Sequence, residues 1–180
     1  MIGYVFLVLG IFGGDLWIKD RIEKSEADVG GNVLGRGKGP EGKAPEPVRL
    51  GGGRVLIRKY HNKGAMLNLG QKYPRVVAAL SVALTALMAV AFVCSLGQRG
   101  NGLLRAGLAF LLGGAFCNTY DRLKRGYVVD FLYFRLIDFP IFNVADIYVT
   151  TATGLLLVLF LFYYKDEDFE IFRPGRRKGE

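Results

Sequence analysis

The sequence predicts an all-α membrane protein of four transmembrane helices, carrying a small β-containing element at the membrane surface. Its hydrophobic residues, 51% of the chain, are gathered into four separate runs. Nearly all the charges lie between those runs. Two short stretches in the connections, RVLIRKY and YVVDFLYF, are rich in β-branched and aromatic residues, as strands are. The 180 residues suffice for one domain, and 1–180 reads as a single membrane-embedded unit.

A bilayer core needs roughly 20 apolar residues in helical form. The first run, Met1 to Ile18, holds Asp15 as its only charge. A cleaved secretory signal would show a basic start and a small-x-small site, and neither precedes Asp15, so this run reads as a retained helix. A polar stretch from Asp20 to Tyr73 follows. Its part from Val29 to Gly53 is glycine-rich with Pro40, Pro45 and Pro47, and is expected to be a flexible insertion. Arg54 to Tyr60 is expected as a short strand at the membrane surface. The glycine of HNKGAMLNLG marks a turn. Pro74 opens the second span, where a missing N–H costs nothing.

The second run, Val76 to Leu96, has no charge. The loop Gly97 to Gly102 is short, which makes helices two and three antiparallel neighbours. The third run, Leu103 to Phe116, has Arg105 near its start, and Gly113 and Gly114 suit close helix packing. Thr119 to Pro140 is expected as a connection containing the second strand. The fourth run, Ile147 to Tyr164, is uncharged, and a charged tail over 165–180 is expected to lack order. There is no internal repeat.

Net charge is +8. The basic residues flank the spans and no nucleic-acid-binding motif is present, so anionic lipid headgroups are the simpler partner. Lys165, Arg173, Arg176, Arg177 and Lys178 of the tail, with Arg99 and Arg105, favour the inside for those segments. Cys94 and Cys117 end antiparallel helices on opposite sides, too far apart for a disulfide, and read as packing residues. His61 is the only histidine, and no metal site is expected.

With antiparallel spans, the end of helix one, the approach to helix two, the end of helix three and the start of helix four share one membrane face. Asp15, Lys19, Asn62, Asn118, Asp121, Arg122, Asn143 and Asp146 all map there, and Asp130 lies in the connection between helices three and four. Asn118, Asp121 and Arg122 share one side of a helix, as do Asn143 and Asp146. Singly, each has an ordinary reading: a helix cap for Asn143 with Asp146, structural pairing for Asp121 with Arg122 and Asp15 with Lys19, an exposed acid for Asp130. Their convergence on one face favours a site instead, because ionisable groups at membrane depth are costly. Asp130 and Asp146 have no base within four residues. Two such carboxylates brought close cannot both ionise cheaply, so one serves as base and the other as acid. That is aspartic-protease chemistry, and it requires neither metal nor cofactor.

At these residues the chain resembles signal peptidase II, the prolipoprotein signal peptidase of bacteria. It has GGAFCNTYDRLKRGYVVDF from Gly113, FNVAD from Phe142, Asn62-Lys63-Gly64-Ala65 for the family's NxGA, and Asp15 to Lys19 for DxxxK. The resemblance implies a four-helix, inner-membrane aspartic endopeptidase with cytoplasmic termini, an outward-facing active site and a β-containing extracytoplasmic element. It implies Asp130 and Asp146 as catalytic, with Asp15, Asn62, Asn118, Asp121, Arg122 and Asn143 in support. The substrates it implies are diacylglyceryl-modified prolipoproteins, handled by a monomer in contact with membrane lipids. The chain departs from the family in Cys117, where glycine is usual, in Leu16, where glutamine is usual, in Met66-Leu67-Asn68, and in the long insertion. Cys117 is expected to crowd a helix contact. The rival readings are an inactive relative that binds lipidated peptides, and a proton-relaying transporter. The latter would place ionisable residues in spans two and four, which have none.

Overall fold

The computed structural model describes residues 2–25, 48–65, 68–97 and 101–163. The tail 165–180 and the part of the expected insertion over 29–47 lie outside the described residues.

Among the described residues are four helices long and apolar enough to cross a membrane: α1 (Ile2–Lys24), α2 (Pro74–Leu96), α3 (Gly102–Arg125) and α4 (Val144–Val158), the last continued by a wider π-helical turn over Leu159–Tyr163. This is a multi-pass membrane protein. Pro74 opens α2 as expected. Helix α3 is the hub, because α1, α2 and α4 all pack on it. Small residues permit this. A Cβ on Gly113 would lie 2.9 Å from Ile11, and one on Gly114 would lie 2.6 Å from the Ala145 carbonyl oxygen. The apolar core between the helices gathers Phe92, Leu104, Leu108, Ala109, Leu112 and Leu156.

Three antiparallel strands make the surface element, in the order β1 (Val48–Leu50), β2 (Val55–Asn62), β3 (Val128–Phe134). The two expected strands are β2 and β3. The expected insertion ends too late by comparison, since Val48–Leu50 pairs with β2 and the next three glycines turn between them.

Helix α3 also runs further than expected. Thr119 to Arg125 is helical, not part of the connection. The helix stops at Gly126, whose φ of 78° lies in the left-handed region and whose N–H bonds the Arg122 carbonyl at 3.1 Å. Helix α1 likewise continues to Lys24. Cys117 therefore sits inside α3 and not at its end. It is fully buried, with Sγ 3.9 Å from the Ile11 carbonyl, so the contact accommodates the thiol expected to crowd it. Both cysteines are free.

Candidate active site

The sheet meets the helices through β3, whose residues Val128 to Phe131 are buried. Alternation along β3 turns Asp130 inward, opposite Tyr60 of β2. Asn143 caps α4: its Oδ1 accepts from the Asp146 N–H at 3.0 Å, and Asp146 Oδ2 accepts from the Asn143 N–H at 3.0 Å. This reciprocal capping box fixes Asp146 in the first turn of its helix. The capping reading of this pair holds, and the other Asp146 oxygen is left to a side chain of α3.

Three asparagine amides join the carboxylates. Asn118 Nδ2 donates to Asp146 Oδ1 at 2.7 Å. Asn143 Nδ2 donates to Asp130 Oδ1 at 2.6 Å and to Asn118 Oδ1 at 3.1 Å. Asn62 Nδ2 donates to Asp130 Oδ2 at 2.9 Å, while its Oδ1 accepts from the Gly64 N–H at 2.9 Å. Both oxygens of both aspartates thus accept hydrogen bonds. Asp130 is nonetheless buried, and burial followed by the nearby Asp146 charge pushes its carboxyl up from 3.8 to about 7.

Beneath the amides lies a buried ionic cluster. Lys19 Nζ is 2.7 Å from Asp15 Oδ2 and 3.0 Å from Asp121 Oδ2, with all three side chains excluded from solvent. Lys19 also donates to Asn118 Oδ1 at 3.0 Å. Asp15 Oδ1 accepts from the Ala145 N–H at 3.1 Å, tying α1 to the start of α4. Asp121 takes Arg125 Nε at 3.1 Å. The expected Asp121–Arg122 pairing is therefore corrected: neighbours on a helix point in different directions, and Arg125 one turn on faces Asp121. Arg122 instead donates to the carbonyls of Gly64, at 2.8 Å, and Asn118, at 3.3 Å. Asp138 accepts from the Tyr133 hydroxyl.

The structure thus brings all the sequence-predicted polar residues together. A cavity of about 420 Å³ opens on the carboxylates. Asn62, Asn118, Arg122, Asp130 and Asp146 line its polar end. Phe139 to Phe142 form one wall, and Ile147, Val149, Thr150 and Thr151 carry it along α4. Among the described residues, no group of three or more His, Cys, Asp or Glu is placed to hold a metal ion.

Sequence reasoning missed the fastening of the sheet. Glu23 of α1 accepts from the Tyr127 hydroxyl at 3.0 Å and contacts His61 at 3.1 Å, and the His61 ring stacks on Tyr127 with centroids 4.0 Å apart. Lys59 donates to the Glu23 and Ser25 carbonyls at 3.0 and 2.9 Å. No local signal joins residues so distant in the chain.

The chain is similar to several known proteins. The lipoprotein signal peptidase of Brevibacillus brevis is 51% identical over 79 residues, covering 43% of this chain and 53% of that protein. That of a Cyanothece species is 40% identical over 115 residues, covering 63% of this chain and 65% of that protein. The chain thus spans about half to two thirds of these relatives' length. It also shares the fold of a bacterial membrane enzyme solved by the in meso method, with a TM-score of 0.71 over 100% of this chain and 96% of that one, at 18% identity. Residues 7–162, which hold every polar residue of the site and at least part of each span, match the family described as Signal peptidase (SPase) II, and the chain belongs to that family.

Proposed function

We propose that this chain is a membrane aspartic endopeptidase that removes signal peptides from lipid-modified prolipoproteins, with Asp130 and Asp146 as its catalytic pair. The observation that carries the reading is the Asn143 side chain and cap, which hold both carboxylates at the mouth of one cavity. In this reading Asp130, with its raised pKa, keeps the shared proton, and Asp146 is ionised.

A water lies between the carboxylates and the scissile carbonyl. Asp146 takes a proton from it as its oxygen bonds to the carbonyl carbon, and Asp130 gives its proton to the carbonyl oxygen. A neutral geminal diol results. Asp146 then passes its proton to the leaving nitrogen as the C–N bond breaks. Asp130 recovers a proton from a diol hydroxyl as the carboxyl product forms, so the pair returns to its starting state. No metal or cofactor enters these steps.

The apolar wall of the cavity suits the residues on either side of a cut placed at membrane depth, and diacylglyceryl chains would lie in the surrounding bilayer. The same reading places the protein, as a monomer, in the bacterial inner membrane with the site facing outward. The rival reading, an inactive relative that binds lipidated peptides, would not require both carboxylates and all their donors. Incubating the purified protein with a diacylglyceryl-modified prolipoprotein and following its gel mobility tests the proposal. Conversion to the shorter form, absent with D130N, is expected. An unchanged precursor at high enzyme concentration would overturn it.

A further inference from the structure

The three amides around the carboxylates could each present oxygen or nitrogen to them, and only the nitrogen helps an ionised aspartate. Two of the three are oriented by backbone N–H groups of the loop and helix they belong to: Asn62 Oδ1 accepts from the Gly64 N–H, and Asn143 Oδ1 from the Asp146 N–H. Asn118 lies mid-helix in α3 and has no such backbone donor. Its Oδ1 is held instead by the Lys19 ammonium at 3.0 Å and by Asn143 Nδ2 at 3.1 Å.

We infer that Lys19 is a positioning residue for the proposed reaction: as a group that can only donate, it forces Asn118 to turn its Nδ2 toward Asp146. This inference rests on the dyad reading and adds to it a residue that touches neither carboxylate of the pair. Lys19 is suited to the task because it cannot move. It is fully buried, and Asp15 of α1 and Asp121 of α3 grip the same nitrogen from two helices, with Arg125 balancing the second acid. The other charged groups facing the amide cluster are Asp130 of β3, Asp146 of α4 and Arg122 of α3. Without Lys19, Asn118 Oδ1 keeps only the bond from Asn143 Nδ2, which also serves Asp130, and the amide can more readily turn its oxygen to Asp146. Two facing acceptors then repel unless the pair holds its proton more tightly.

The single variant K19M leaves Asp15 and Asp121 against one remaining cation and can fail to fold. The variant D15N/K19M removes one charge of each sign, keeps the Asp121–Arg125 pair, and leaves the net charge of the cluster unchanged. The first measurement needs no substrate. The infrared carboxyl band of the pair, identified by its loss in D146N and D130N, is titrated in detergent-solubilised wild type and in D15N/K19M, with folding verified by thermal unfolding. We expect the band to persist about one pH unit higher in the double variant. In the cleavage assay, the basic limb of the kcat profile, where the pair loses its shared proton, moves up by a similar interval and kcat falls about 10-fold or more, with KM little changed. A folded double variant with the wild-type titration and the wild-type profile overturns the inference, and so does a lowered kcat with unmoved limbs, which marks a merely structural lysine. The infrared result stands even where no cleavage occurs, so failure of this inference and failure of the peptidase reading are told apart.

Discussion

Asn143 and Asn118 meet across the α3–α4 contact, Nδ2 to Oδ1 at 3.1 Å, and that bond joins the neighbours of Asp130 and of Asp146 a second time, beside the Asn143 cap that already links them. Neither carboxylate can shift without disturbing an amide that the other uses.

The dyad predicts that D130N and D146N each lower cleavage by at least about 10³-fold, since an amide can neither take nor give the proton. Both variants should still insert and bind substrate. Single-turnover assays beside a binding measurement check this, and wild-type turnover by either would remove that residue from the pair.

The raised carboxyl of Asp130 sets a pH dependence. Catalysis needs one proton on the pair, so the rate should fall as pH rises through about 7. Stability follows the same proton. The folded protein holds it up to about 7, while the unfolded chain releases it near 3.8, so this contribution is complete below 3.8 and is lost as pH rises to 7. Thermal unfolding at pH 5 and pH 8 should show a larger loss for wild type than for D130N; equal losses would contradict the assignment.

Packing at Gly114 predicts a sharp local intolerance. A Cβ there would lie 2.6 Å from the Ala145 carbonyl oxygen and 2.8 Å from Val149. G114A should cost about 1–3 kcal/mol and, by moving α4 and its Asp146, lower kcat as well. G3A, with nothing within 4 Å of the added methyl, is the control. Unfolding temperatures of the two variants decide it.

The position of the pair beside the spans predicts that lipid on the substrate cysteine is required. Each buried CH₂ contributes roughly 0.8 kcal/mol, so two acyl chains hold the scissile bond at the depth of Asp130 and Asp146 and confine the encounter to the membrane. Lipidated and unlipidated precursors should be compared at equal concentration in one bilayer. The unlipidated form should be cut poorly or not at all, and equal rates would point to a general intramembrane protease.

Composition predicts that shortening the glycine-rich stretch between Val29 and Ala44 leaves folding and at least part of the activity intact. A deletion reaching Val48–Leu50 should cost stability, because it strips β1 from β2. Circular dichroism and the cleavage assay on the two deletions separate these outcomes.

The spans and the convergence of polar residues were legible in the sequence because an apolar run with acids at its end has few ways to satisfy them. The partners were less so. Asp121 sits beside Arg122 in sequence, yet its cations are Arg125, one turn on, and Lys19, on another helix. The spacing of Asn118, Asp121 and Arg122 carried the helix to Arg122, but its end at Arg125 was not legible, since those polar turns remain helical through pairings that only the fold supplies. Strand β1 is three residues long and exists through its pairing with β2, a tertiary fact.

The grip of Lys59 on the Glu23 and Ser25 carbonyls has a consequence for how this chain can vary. It pins the end of α1 to the strand beside β1, so the segment over 26–47 joins two anchored points and need not hold them together. The entropy of closing such a loop grows only with the logarithm of its length, about 0.6 kcal/mol per doubling. A change in the number of residues between these two anchors is therefore expected to perturb the carboxylates little.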